Sequence, residues 1–105
     1  MDIRSLKLQS DLSYDIAVAK RNALEKAHSR MVMAYNGNLF RADANTIGIV
    51  RTLKESNDTF FLLDTNNNPV KITDADNFLE RLIERNQEAL NAYHQMYETF
   101  TKKGD

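Results

Sequence analysis

The chain has no cysteine and no tryptophan, one proline and three glycines in 105 residues. Without cysteine there is no disulfide framework, thiolate metal site or cysteine nucleophile, a composition that suits a reducing compartment. Three scattered glycines rule out a glycine-rich phosphate loop. Long apolar runs are also missing. No stretch approaches the ~18 residues of a membrane span, and Met1 to Leu12 interleaves Asp2, Arg4, Lys7 and Asp11 with its apolar side chains, so it has no signal-peptide core. The expectation is a soluble intracellular protein without a membrane partner. Charge of one sign is lacking too: 14 Lys plus Arg stand against 15 Asp plus Glu, with no block of like charge. Nothing in that balance demands a polyanionic partner.

What is present is helical periodicity and turn chemistry. Residues 1–28 read as one long helix, because Leu12, Ile16, Ala19, Ala23 and Ala27 recur at helical spacing and give it a small-residue face, with Ser5 or Ser10 as a cap. Met31 to Tyr35 and Leu39 to Arg41 flank Asn36-Gly37-Asn38, and Asn-Gly supplies the positive φ angles of a tight hairpin. Residues 44–55 fit a short helix through Ile47, Val50 and Leu53, with Asp43 or Asn45 as cap, although Ile47 to Val50 also fits a strand. Thr59 to Leu63 is a continuous apolar run of the kind a central strand shows. Asn66 to Pro69 makes a turn, Val70 to Ile72 a short strand, and Thr73 stands in an N-cap position. A last helix over 74–102 follows, with Gly104 beyond its end and Lys102 and Lys103 suited to its negative pole. The predicted fold is a single α+β domain: long N-terminal and C-terminal helices packed on a small antiparallel sheet of two hairpins, the sheet region covering 30–72 with the short helix inside it.

The last helix carries the strongest pattern. Leu79, Ile83, Asn86, Leu90, Tyr93, Tyr97 and Phe100 follow at alternating steps of four and three, one stripe with a lone amide. With Leu79, Asn86, Tyr93 and Phe100 at d and Ile83, Leu90 and Tyr97 at a, the g positions are Ala75, Leu82, Ala89 and Met96, all apolar. The face is therefore wider than that of a two-stranded zipper, wide enough to cover its own sheet and first helix and also meet another subunit. Size points the same way. A compact chain of this length has a radius of gyration near 13 Å, whereas a helix of about 28 residues is near 42 Å long. Both terminal helices overhang such a globule, so either they pair with each other or a second copy covers them. The expected oligomer contacts are Asn86, Leu90, Tyr93, Met96, Tyr97 and Phe100. Asn86 has two readings: a buried amide fixing register at an interface, or a polar residue bonded within one domain.

The candidate chemistry is thin. Asp64, Asn66 and Asn68 match the first ligands of an EF-hand loop, but Pro69 and Ala75 occupy the positions of its glycine and closing glutamate. His94 and Glu98 lie one helical turn apart, too few ligands for a metal site. No Ser-His-acid arrangement has local context, so neither catalysis nor a cofactor is expected. For nucleic acid, Arg30, Arg41, Arg51, Lys54 and Lys71 near the sheet, with Tyr35 and Phe40 as stacking faces, form the best case, which remains the lesser reading.

Arg30 to Phe40, then Leu63-Asp64 and Asn68 to Ile72, then Gln87 to Tyr93, in that order and spacing after an N-terminal helix, resemble a group of small uncharacterised proteins of T4-like marine bacteriophages (cyanophages). The resemblance implies a phage-encoded protein of the infected cell's cytoplasm, with no established activity and no functional residues to transfer. A non-enzymatic virion or assembly component, acting through self-association and contact with another virion protein, is the function expected of such a chain; a nucleic-acid-binding accessory protein is the alternative.

Overall fold

The computed structural model describes the backbone of residues 3–103 and the side chains of residues 12–100. The elements run α1 (Ile3–Arg30), β1 (Val32–Tyr35), β2 (Asn38–Arg41), α2 (Ala44–Ser56), β3 (Phe60–Leu63), β4 (Pro69–Ile72) and α3 (Ala75–Lys103). This is the expected α+β order, with helix at 44–56 where the sequence also allowed strand. The helix begins at Ile3, so Ser5 and Ser10 lie inside it; Gly104 and the side chains of Lys102 and Lys103 lie outside the described residues.

Local chemistry explains each boundary. Asn36 and Gly37 have φ of 51° and 83°, closing the two-residue turn that pairs Tyr35 with Asn38. Asp43 caps α2: its Oδ1 accepts from Thr46 N at 2.8 Å. Burial pushes the Asp43 carboxyl up, but the Thr46 hydrogen bonds and the nearby Arg41 charge outweigh it and hold the group below the usual carboxylate range. Asp74, not Thr73, caps α3, its Oδ1 accepting from Asn77 N. The β3–β4 turn is built on Asp64, whose Oδ1 accepts from the backbone N–H of both Asn66 and Asn68 at 2.9 Å.

The hairpins are separate antiparallel pairs, β1 with β2 and β3 with β4, in contrast to the single sheet expected. They meet where Thr65 N donates to Leu39 O at 2.8 Å. This arrangement overturns the reading of β3 as a central strand. Phe60 is buried, but Phe61 and Leu63 are 66% and 58% exposed, because alternate residues of β3 point away from the core. The free edge of β1 is blocked by α3: Arg85 Nε donates to Val32 O at 3.0 Å and Arg81 Nη2 to Ala34 O at 3.4 Å. Arg81 also stands over the Tyr35 ring, 5.5 Å from its centre.

Phe40, Val50, Ile72, Phe78 and Leu82 form the fully buried centre of this head. Phe78 meets both Phe40 and Tyr35 edge to face with ring centres 5.0 Å apart. Beyond the head, α1 and α3 continue together as a two-helix stalk. Met31 Sδ accepts from Asn86 Nδ2, and Lys20 Nζ lies over Tyr97; eleven residues back on α1 match eleven forward on α3, so the helices are antiparallel and in register. The molecule measures 66 × 23 × 22 Å with a radius of gyration of 19.5 Å, well above the ~13 Å of a compact chain this long.

Candidate interaction surface

The stalk is thin because its seam is made of small residues. Ala23 and Ala27 of α1 are buried against α3, where Ala89 is buried and Tyr93, Met96 and Phe100 are half-buried. Alanine lets two helix axes approach closely, and this seam accounts for the small-residue face read in α1. The inward line on α3 is Leu82 in the head and then Asn86, Ala89, Tyr93, Met96 and Phe100 along α1, offset from the stripe evident in the sequence. Of that stripe, Asn86, Tyr93 and Phe100 turn toward α1. Ile83, Leu90 and Tyr97, spaced seven apart, are each left 38% exposed.

The six expected contact residues therefore divide. Asn86 is buried; its Nδ2 donates to Ala42 O at 3.0 Å and its Oδ1 accepts from Gln87 Nε2 at 3.1 Å. Its amide ties α3 to the chain leaving β2, in keeping with the reading of a polar residue bonded within one domain. Tyr93, Met96 and Phe100 contribute mainly to the seam, while Leu90 and Tyr97 face outward, Tyr97 against the Tyr93 ring at 6.2 Å. Ile83 and, on α1, Leu24, 37% exposed, extend the outward set.

A second exposed apolar area lies on the head, where Ile49 and Leu53 of α2 and Phe61 and Leu63 of β3 line a groove with Arg41 at its side. The sequence conceals Phe61 and Leu63, since an uninterrupted apolar run reads as a strand covered on both faces. The signal that reveals them is the shortness of the neighbouring strands, which leaves no element to cover their side.

Three of the basic residues have neighbours of their own, and Arg30 and Arg51 are exposed on α1 and α2. Lys54 pairs with Asp76 of α3, Arg41 lies beside Asp43, and Lys71 stands on β4 opposite Phe61. Phe40 is fully buried, so it offers no face for a base to stack on, and Tyr35 packs its ring against Phe78. The Asp64 carboxylate is occupied by its own turn, and His94 Nε2 pairs with Glu98 at 3.0 Å. Among the described residues no cluster of three or more His, Asp or Glu is placed to hold a metal ion, and no helix is long and apolar enough to cross a membrane.

No protein-family model, curated protein or solved structure matches this chain.

Proposed function

We propose that the chain is a non-enzymatic structural or assembly protein of a bacteriophage, acting through self-association of its stalk and docking to a second virion protein. The observation that carries the reading is the outward set of Leu24, Leu90 and Tyr97 on a stalk only two helices thick, which Ile83 continues along α3 onto the head. Burying a large apolar side chain is worth roughly 1.5 to 3 kcal/mol, and contiguous exposed apolar area on a soluble chain marks an interaction surface. The groove of Ile49, Phe61 and Leu63 lies on the head and shares no residue with that set, which supports a second surface for another protein. The resemblance carried by Arg30 to Phe40 and Gln87 to Tyr93 supplies the phage context, with the infected cell's cytoplasm and the virion as its setting.

Two measurements test the reading. Light scattering over a concentration series is expected to give more than one chain mass, and a pull-down from phage particles with the wild-type chain is expected to retain a virion protein that a Phe61→Ser, Leu63→Ser variant releases. A monomer at every concentration that retains no virion protein would overturn it.

A further inference from the structure

Each strand of the head has one edge that its hairpin partner leaves open, and three of these four edges are obstructed. On β1, the carbonyls of Val32 and Ala34 accept from Arg85 and Arg81. On β2, Leu39 O accepts from Thr65 N. On β4, Pro69 has no N–H to offer and the exposed Lys71 stands two residues on, the proline and lysine by which natural sheets blunt an edge. Among the described residues β3 carries none of these devices. Asp64 N donates to Asn68 O, so the bonded pairs of this ladder alternate as Asp64 with Asn68, Leu62 with Val70 and Phe60 with Ile72. Phe61 and Leu63 lie between those pairs and turn their N–H and C=O outward. Among the described residues no hydrogen bond takes up these four groups.

The open edge faces the groove of the head. Alternate side chains of a strand point to opposite faces, yet Phe61, Leu62 and Leu63 line the groove in succession, which places it along the edge of β3. Ile49 and Leu53 of α2 form its other wall. We propose that this groove takes an extended segment of the docking partner as a further strand beside β3. The proposal rests on the docking proposed above and adds its mode. In an antiparallel pairing, the residues opposite Phe61 and Leu63 exchange backbone bonds with them and lie beside their side chains. The residue opposite Leu62 turns the other way, toward Ile49 and Leu53, and is apolar. A helix lying in the groove bonds its own backbone internally and leaves the four outward groups unmet. A second copy adding its own β3 brings its own α2 to the same side of the paired strands, where this α2 already walls the groove. A single extended segment carries no such helix with it.

The test selects displayed random peptides of about twelve residues on the full chain. The expected peptides carry apolar residues at every second position. Their affinity is expected to fall on the order of tenfold for Leu63→Pro, which keeps an apolar side chain and removes one outward N–H. In the wild-type chain, bound peptide is expected to slow amide exchange at Phe61 and Leu63 on the order of tenfold or more, a readout that stands even if Leu63→Pro does not fold. Apolar residues three and four apart, unchanged exchange at Phe61 and Leu63, or no selected peptide overturns strand addition and leaves the docking reading to the pull-down above. A wild-type mass that Leu63→Pro lowers makes a second copy the occupant and overturns it as well. If Phe61→Ser, Leu63→Ser retains the virion protein as the wild type does, docking through this groove and strand addition fall together.

Discussion

In the head, aromatic and branched side chains at 40, 50, 72, 78 and 82 are fully buried, and the free edge of β1 is closed by two arginines. In the stalk, the buried residues among those described on α1 are alanines, while Leu24, Leu90 and Tyr97 keep more than a third of their surface in water. Both regions follow from apolar periodicity, but only the head closes it around a centre of large, fully buried side chains, leaving Ile49, Phe61 and Leu63 on its outside. The stalk has a seam of small residues and no such centre, so the chain divides its apolar residues between a core that holds the head and exposed areas on both regions.

The widest break in that comparison is Phe78→Ala. Removing the ring that both Phe40 and Tyr35 meet edge to face is expected to cost about 3–5 kcal/mol, a large part of the stability of a domain this size, read as a lowered midpoint in chemical denaturation. Asn86→Leu probes the junction of the two regions. It strips Ala42 O of its donor, so a loss of about 1–3 kcal/mol is expected with the oligomer mass unchanged; a changed mass would place Asn86 at the interface instead. Asp43→Ala removes the α2 cap and is expected to cost about 0.5–2 kcal/mol, measured in the same denaturation series. Its pH dependence has a definite sign. The folded Asp43 value is depressed, so its contribution is complete above the unfolded value of about 3.9 and is lost as pH falls through the lower folded value. Wild type and Asp43→Ala should therefore converge in stability under acid. Smallest of all, Leu90→Asn should change the stability of the isolated chain by only about 0.5 kcal/mol, as for an exposed position, while weakening self-association.

Much of this division was legible in the sequence. Asn36-Gly37, the cap at Asp43 and the alanines of α1 carry their conformations locally, and the order of elements followed from them. The overhang of both helices followed from length alone, since 28 helical residues outreach a globule of this mass. What sequence spacing did not resolve was which of two adjacent lines on α3 meets α1. Ala89 and Met96 read as flanking the stripe, yet they fill the seam, because the Ala23 and Ala27 face of α1 approaches α3 from that side, and Leu82 on the same line fills the head. Phe61 and Leu63 were hidden for a related reason: exposure depends on a covering element, and a two-stranded hairpin has none on its outer face.

The most direct test is sedimentation equilibrium of the wild type beside an Ile83→Asn, Leu90→Asn variant. Completion of the stalk by a second copy predicts twice the chain mass for the wild type at concentrations on the order of 10 μM, and one chain mass for the variant with its head still folding cooperatively. A wild-type chain that remains a single copy up to the order of 1 mM would contradict it.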